Sequence, residues 1–182
     1  MKVIACLGNP EKKYLKTRHN IGFIIGRNLA ESNMIPVTKK MFLSLCGNGK
    51  LDGTEIFLLF PETYMNSSGE AAAQALNYYR ETASSLIVIH DEIEMPFGQF
   101  NTRFGGGHRG HNGLRSIIAK IGSPDFHRLR FGVGRSENPE LSVADHVLSD
   151  FFPDEMAKIN EVMPKIHDLL ISLIKQEKAL NE

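Results

Sequence analysis

The chain has 182 residues, a length that one hydrophobic core can serve, so we expect a single domain over residues 1–182. Hydrophobic residues make up 42% of the chain and charged residues 23%, a balance that excludes a disordered or low-complexity protein. The formal net charge of zero excludes binding to nucleic acid through bulk charge alone.

The first element is a short apolar run, Lys2–Gly8, which ends at Asn9-Pro10 and predicts a buried strand opening into a loop. The run is too short for the apolar region of a signal peptide, and no stretch of the chain is long enough to span a bilayer. Cys6 in this run and Cys46 in a second apolar run are typical of small buried side chains in a reducing compartment. We therefore expect a cytoplasmic protein that makes no contact with membranes.

A loop that carries Tyr14 and His19 leads into a helix. The apolar residues between Ile21 and Leu29 recur with helical spacing, and Asn20 directly before them is a possible N-cap. This pattern places His19 at the start of the helix.

The next segments predict a hairpin and a second helix. Phe42–Leu51 and Glu55–Phe60 have strand character and meet at Asp52-Gly53, a pair that supplies the positive φ angles of a tight turn. Ser67–Arg80 is rich in alanine and carries a glutamate early, so we expect a helix there.

Another apolar strand, Leu86–Ile89, delivers His90-Asp91-Glu92 at its carboxyl end, the edge at which open α/β sheets place their sites. A glycine-rich, basic stretch follows from Gly98 to Gly113. It leads into a helix over Leu114–Ile121 and a strand over Arg128–Val133.

The last predicted element is a helix after Pro153, with apolar residues along one side and a kink at Pro164. Strands and helices alternate along the chain, and this predicts an α/β fold. We expect a single-domain three-layer sandwich, in which a twisted, mixed but largely parallel central sheet is flanked by helices.

The charges are unevenly distributed. Between residues 98 and 135 only Asp125 is acidic, whereas acidic residues outnumber basic ones from Glu140 onward. The basic residues of the first segment are Arg103, Arg109, Arg115, Lys120, Arg128, Arg130 and Arg135. One face of a neutral protein can therefore hold phosphates.

Four blocks carry most of the polar and glycine residues of interest. They are Gly8-Asn9-Pro10 with Tyr14, Thr17-Arg18-His19-Asn20 and Gly22; Thr63–Gly69; His90-Asp91-Glu92; and Gly105–Leu114. In this order and at these spacings they resemble the bacterial peptidyl-tRNA hydrolase family, and the resemblance extends through Phe126–Arg130 to Asp145–Leu148. Two positions differ, because the family usually has glycine where this chain has Glu11, and often a glycine pair where it has Arg109-Gly110.

Taken alone, His19 is more typical of a surface residue at a helix end, and Asp91 of a cap or a surface acid. An ester hydrolase that uses water needs a base near neutral pH, and imidazole ionises in that range. The resemblance implies that His19 is this base, that Asp91 orients its ring, and that Asn9 lies beside it. A carboxylate that binds one ring nitrogen can direct the other toward water.

The resemblance also implies contacts with the substrate. Neutral amides both donate and accept hydrogen bonds, which suits Asn66 and Asn112 to the peptide end, although each asparagine alone is typical of a turn or cap. Tyr14 and Tyr64 match positions that contact the tRNA end, where aromatic rings stack on unpaired bases. Without the resemblance, both are ordinary half-buried tyrosines.

Arg103 and Arg130 match family positions of the same charge, and the resemblance implies that they hold phosphates of the acceptor arm. By themselves they are equally typical of solvated arginines.

Three other patterns are weaker. Gly105–Gly110 satisfies the G-x-G-x-x-G pattern of dinucleotide folds, but Asp125 precedes its strand instead of ending it. His108 and His111 are possible metal ligands, but no third ligand of compatible spacing is evident, so no metal is expected. A nucleophile at Ser67-Ser68 lacks the G-x-S-x-G turn.

The resemblance predicts an enzyme that cleaves the ester between a peptide and the 3′ ribose of tRNA, recycling tRNA from peptidyl-tRNA dropped during translation. It implies no cofactor, a monomer, and the acceptor arm and 3′ end of peptidyl-tRNA as the partner. Two rivals stay open: a non-catalytic RNA-binding protein on the same scaffold, like the chloroplast splicing factors similar to this family, and an esterase for small acyl substrates.

Overall fold

The structure, a computed structural model, describes the backbone of residues 1–180 and the side chains of residues 1–176. The last two residues of the expected 1–182 domain therefore lie outside the described residues. The strands are β1 (Lys2–Cys6), β2 (Lys39–Met41), β3 (Ser44–Leu51), β4 (Thr54–Pro61), β5 (Leu86–Glu92), β6 (Phe100–Phe104) and β7 (His127–Gly132). The helices are α1 (Ile21–Ser32), α2 (Ser68–Tyr79), α3 (Asn112–Ile121), α4 (Val143–Val147) and α5 (Pro153–Leu180).

The seven strands form one sheet in the order β2-β3-β4-β1-β5-β7-β6. The central strands β4, β1, β5 and β7 run parallel, whereas the pairs β2-β3, β3-β4 and β6-β7 are antiparallel. The predicted α/β fold with a mixed, largely parallel central sheet is confirmed.

Two hydrophobic layers cover the faces of this sheet. Because successive side chains of a strand point to opposite faces, Ile4 and Cys6 of β1 pack in one layer, and Val3 and Ala5 pack in the other. Helices α1 and α5 contribute to the first layer, and α2 and α3 contribute to the second. The carboxyl ends of β1, β4 and β5 consequently meet at one edge of the sheet.

The hairpin between β3 and β4 turns at Asp52-Gly53, with φ angles of 48° and 79°, as the sequence predicts. The predicted strand Phe42–Leu51 starts too early. Phe42 and Leu43 form a separate turn between β2 and β3, in which both residues have a φ of 53°. Phe42 adopts this unusual conformation while its ring packs 5.8 Å from the ring of Phe57, a tertiary contact that local sequence patterns do not reveal.

The structure departs from the sequence prediction at two further places. The stretch from Gly98 to Gly113, in which no strand was predicted, contains β6, an edge strand whose residues are partly buried or exposed, so it lacks the apolar alternation that marks a strand. Asn20 occupies the N-cap position of α1, at the end of a short 3-10 turn, Arg18–Asn20, but its side chain makes no capping hydrogen bond. The other predicted helices and strands are present within a few residues, and α5 continues through Pro164.

No helix within residues 1–180 combines the length and the apolar character that crossing a membrane requires.

Gly22 allows α1 to lie directly on the sheet. A Cβ atom at this position would lie 2.4 Å from the carbonyl oxygen of Ile89 and 2.5 Å from the backbone nitrogen and oxygen of Leu7. The next residue, Phe23, donates its backbone N–H to the Leu7 oxygen over 3.2 Å. This close approach fixes the distance between the residues just before α1 and the end of β5.

We expect Gly22→Ala to lower the free energy of unfolding by about 1–3 kcal/mol, because backbone atoms on both strands must move to admit the methyl group. Urea denaturation of the variant and the parent chain measures this loss. Gly107→Ala is the matched control, since a Cβ atom there meets nothing within 4 Å and the residue has no left-handed φ. Equal losses in the two variants would show that the α1 contact is not tightly packed.

Candidate active site

His19 and Asp91 form a hydrogen-bonded pair at the carboxyl edge of the sheet, in which Asp91 is buried and His19 is partly buried. His19 lies in the 3-10 turn before α1, and Asp91 lies near the end of β5. The His19 Nδ1 atom lies 3.0 Å and 2.9 Å from the two oxygens of the Asp91 carboxylate. Because an ionised carboxylate only accepts hydrogen bonds, Nδ1 carries the proton and donates it, which leaves Nε2 as a proton acceptor.

His111 is a third member of this network that the sequence did not predict. Its Nδ1 atom accepts hydrogen bonds from the backbone N–H groups of Gly113 and Leu114, over 3.1 Å and 3.3 Å, and so caps α3. Its Nε2 atom must therefore carry a proton, and it donates to Asp91 Oδ1 over 2.8 Å. The predicted helix begins at Leu114, three residues after His111, so little in the sequence indicated that His111 caps it.

The burial and charges of the network shift the pKa values of His19 and Asp91 in opposite directions. Burial alone lowers the pKa of His19, but the charge and hydrogen bond of Asp91 outweigh it and raise the pKa above its usual value. Burial alone raises the pKa of Asp91, but the charge of His19 and the hydrogen bonds from both imidazoles hold it far below its usual range. Asp91 is therefore ionised in the folded protein at neutral pH.

His90, the residue before Asp91, forms a hydrogen bond with the Asp91 backbone. It is fully buried, and its Nδ1 atom donates to the backbone oxygen of Asp91 over 2.7 Å. Burial, with a smaller effect from His111, lowers the pKa of His90 to about 3, so its ring is neutral.

The same three side chains are a possible set of metal ligands, because one ligand atom from each of His19, Asp91 and His111 lies within 4.8 Å of the others. The tautomers argue against a metal here. A metal needs an unprotonated nitrogen, whereas the backbone N–H groups of α3 keep the proton of His111 on the nitrogen that faces Asp91. The arrangement fits a hydrogen-bonded network better than a metal centre.

Asn9 and Asn20 connect the loop after β1 to the site. The Asn20 side chain accepts from the Asn9 backbone N–H and donates to the Asn9 backbone oxygen, both over 2.9 Å. The Asn9 Oδ1 atom accepts from the backbone N–H of Met65, also over 2.9 Å. The amide nitrogen of Asn9 thus remains as a donor to a ligand.

A groove surrounds His19 and brings several predicted residues together. One part, of about 240 Å³, is lined by His19 and by four residues that the sequence predicted for the site, namely Asn9, Tyr64, Asn66 and Asn112. The other part, of about 340 Å³, is lined by His19, Asp91, His111 and Asn112, and extends to Glu94 and Arg135. Tyr14 lies outside both parts, half-buried at the end of a 3-10 turn over Lys12–Tyr14.

Arg103 and Arg130 lie on the antiparallel pair β6-β7, and neither lines the two parts of the groove. In this register Arg103 is opposite Arg128, and Arg130 is opposite Asn101, so all four side chains share one face of the sheet. Arg128 was not predicted from the sequence to belong to the site. Its buried guanidinium donates to the backbone oxygens of Gly106 and Gly107, in the loop that ends at His111. Burial, followed by the charges of Arg103 and Arg130, lowers the pKa of Arg128 to about 10.

Arg18, next to His19, was also not predicted to have a role. Its buried guanidinium donates to the Ser149 Oγ atom over 2.9 Å and pairs with Glu155 over 2.7 Å. Glu155 in turn accepts the backbone N–H of Phe152 at the start of α5. These contacts join the turn that carries His19 to the segment that follows α4. Val147, the last residue of α4, lines the groove.

Fold and site together define a single-domain α/β protein with a hydrogen-bonded histidine–aspartate pair at the carboxyl edge of its sheet. The sequence profile of the family described as peptidyl-tRNA hydrolase matches residues 3–182. The chain therefore belongs to the peptidyl-tRNA hydrolase family, and the predicted resemblance is confirmed.

Individual relatives agree with this assignment. The chain is 45% identical to the peptidyl-tRNA hydrolase of Geotalea uraniireducens (strain Rf4), over 97% of this chain and 91% of that protein. It is 42% identical to the peptidyl-tRNA hydrolase of Agathobacter rectalis, over 100% of this chain and 98% of that protein. The crystal structure of peptidyl-tRNA hydrolase from Acinetobacter baumannii matches with a TM-score of 0.86 and 35% identity, over 97% of this chain and 91% of that chain.

We expect Asp91→Asn to lower the pKa of His19, because the amide removes the negative charge that favours the imidazolium form while the burial remains. Titration of the His19 ring by NMR should give a pKa above the usual value of about 6.5 in the parent chain and below it in the variant. Asp125→Asn, which removes an exposed carboxylate, is the control and should leave the His19 titration unchanged. An unshifted pKa in Asp91→Asn would contradict the electrostatic role of Asp91.

Proposed function

We propose that this chain hydrolyses the ester between a peptide and the 3′ ribose of tRNA, with His19 as the general base that activates water. The observation that supports this best is the tautomer of His19. Asp91 binds the protonated Nδ1 atom, which leaves Nε2 to accept a proton in a groove. Membership of the family supports the same reaction.

In the proposed mechanism, a water molecule gives its proton to His19 Nε2 as its oxygen attacks the ester carbonyl. The Asp91 carboxylate stabilises the imidazolium ion that forms. The amide nitrogen of Asn9 is a donor to the negative charge that develops on the carbonyl oxygen. The ester bond then breaks, the ribose oxygen takes the proton from His19, and the products are a tRNA with a free 3′ hydroxyl and a peptide carboxylic acid, which loses the second proton of the water to solvent. No cofactor takes part.

The substrate is held from both sides of His19 in this proposal. Asn66 and Asn112 are exposed amides in the groove and bind the peptide bond next to the ester. Tyr64, and Tyr14 beside the groove, contact the 3′ end, while Arg103 and Arg130 hold phosphates of the acceptor arm. We infer that the enzyme acts as a monomer in the cytoplasm, where translation supplies peptidyl-tRNA.

The two rival functions fit the structure less well. A non-catalytic RNA-binding protein does not require a histidine whose Nε2 atom is left as a proton acceptor in a groove, which is the state that Asp91 gives His19. An esterase for small acyl substrates has no use for the arginines on β6-β7. Release of labelled peptide from an N-acetylated aminoacyl-tRNA, compared with a simple aminoacyl ester, distinguishes all three functions. Rapid release from the tRNA substrate alone supports the proposal.

We expect the same assay to discriminate against free aminoacyl-tRNA. Its charged ammonium group replaces the neutral amide that the groove asparagines bind, and desolvating an unpaired ammonium is costly. Equal kcat/KM values for the acetylated and free substrates would contradict amide recognition by Asn66 or Asn112.

His19→Ala should slow single-turnover hydrolysis by roughly 10²- to 10⁴-fold, because the water loses its base, while tRNA binding is nearly unchanged. Quenched-flow measurement of the chemical step and a binding titration with uncleaved tRNA separate the two effects. His167→Ala on α5, outside the groove, is the control and should keep the parent rate. Hydrolysis at the parent rate by His19→Ala would remove His19 from the mechanism.

Replacing Arg103 or Arg130 with alanine should raise the KM for full-length peptidyl-tRNA and reduce the slope of log affinity against log salt by roughly 1, as one phosphate contact is lost. Cleavage of a minimal 3′ fragment should hardly change. Arg80→Ala, which removes an exposed charge at the end of α2, is the control for net charge. Equal losses on both substrates, or an unaltered slope, would mean that the tRNA is held elsewhere.

A further inference from the structure

Glu11 follows Asn9-Pro10 in the loop that leaves β1. Its backbone has a φ of −71° and a ψ of 147°, an extended conformation that needs no glycine. It precedes the 3-10 turn Lys12–Tyr14, but its side chain makes no capping hydrogen bond to that turn. The carboxylate is therefore available for a contact elsewhere.

That contact is with Tyr64, on the loop after β4. The Tyr64 hydroxyl donates to Glu11 Oε1, and the Lys13 Nζ atom lies 3.3 Å from the other carboxylate oxygen. The backbone beside Tyr64 is held separately, by the hydrogen bond between the Met65 N–H and Asn9. Tyr64 is consequently restrained at both ends, at its backbone by Asn9 and at its hydroxyl by Glu11.

The ring of Tyr64 lies at the wall of the groove that contains His19, and the residue is 53% exposed. A side chain this exposed normally samples several rotamers, and binding a flat ligand to it costs the entropy of fixing one of them. A hydrogen bond at the far end of the ring fixes its orientation before a ligand arrives. The ring is thus preorganised as a flat surface beside the catalytic residues.

The charge of Glu11 is largely compensated. Hydrogen bonds from Tyr64 and Lys13 lower the pKa of Glu11, so the carboxylate is ionised at neutral pH. A lone negative charge would repel the phosphates of an incoming RNA strand, but the Lys13 ammonium is paired with it and lies 4.9 Å from the centre of the Tyr14 ring. The remaining effect of Glu11 is its short-range hydrogen bond to Tyr64.

We propose that Glu11 is a positioning residue, which fixes the Tyr64 ring as a stacking surface for the terminal base of the tRNA 3′ end. This inference rests on the proposed function, because it takes the 3′ end of tRNA as the ligand of this part of the groove. Stacking on an aromatic ring tolerates any base and depends on the orientation of the ring.

The contact itself is tested without catalysis. The Glu11 carboxylate raises the pKa of the Tyr64 hydroxyl, because it binds the protonated form and repels the phenolate. Ultraviolet titration follows all the tyrosines together. Subtracting the titration curve of Tyr64→Phe from that of the parent chain isolates Tyr64. The pKa of Tyr64 should fall toward its usual value in Glu11→Gln and Glu11→Gly, and stay raised in the control Glu62→Gln, which removes an equal charge from the loop after β4. An unchanged pKa in the Glu11 variants overturns the inference.

The positioning role is tested with two acetylated aminoacyl fragments of the tRNA 3′ end, one with its terminal base and one abasic at that nucleotide. Glu11→Gly should raise the KM for the base-containing fragment roughly two- to tenfold, leave kcat nearly constant, and leave the KM for the abasic fragment unchanged. Tyr64→Phe should raise the KM for the base-containing fragment by a similar factor. Adding Glu11→Gly to Tyr64→Phe should raise it no further, because both changes break the same hydrogen bond.

The outcomes separate the inference from the proposed function. Additive losses in the double variant, or equal losses on both fragments, overturn the positioning role of Glu11. If the parent enzyme cleaves both fragments with the same KM, Tyr64 does not stack on the terminal base, and the proposed role of Tyr64 fails together with the inference. If it cleaves neither fragment nor peptidyl-tRNA, the proposed function itself is wrong.

Discussion

The site depends on one buried carboxylate that accepts hydrogen bonds from two imidazole rings. Asp91 has a side chain that is only 1% exposed, and an ionised carboxylate is stable at such a depth only when it is paired. Its partners come from the turn before α1 and from the residue that caps α3. The same contacts therefore fix the tautomer of His19 and hold two helices against the end of β5. The geometry of the candidate site and the tertiary structure are supported by the same hydrogen bonds.

Local sequence patterns predicted the elements whose signals are local. The apolar run of β1, the Asp52-Gly53 turn and the alanine-rich α2 carry their structure within a few neighbouring residues, and all three are confirmed. The edge strand β6 was missed because it is stabilised by pairing with β7 and has little apolar alternation of its own. Asn20 was misjudged for a related reason, since its side chain binds the loop at Asn9 instead of the start of α1.

Part of the site was predictable from the sequence, because several of its residues belong to local motifs. His19, Asp91, Asn9, Asn66 and Asn112 belong to motifs that can be read along the chain, and the structure gathers them at one groove. The roles of His111, Arg128 and Arg18 arise from partners that lie 20, 21 and 131 residues away. No single stretch of sequence contains such a pair, so these contacts become visible only in the folded chain.

The link between Arg18 and the start of α5 has a consequence for how the protein matures on the ribosome. His19 leaves the exit tunnel early, but Ser149 and Glu155, the partners of its neighbour Arg18, are synthesised more than a hundred residues later. Loop closure over such a separation comes late in folding, after the local elements have formed. The contacts of Arg18 therefore form only after the start of α5 has been synthesised, and the groove that Val147 helps to line cannot be complete before that part of the chain exists.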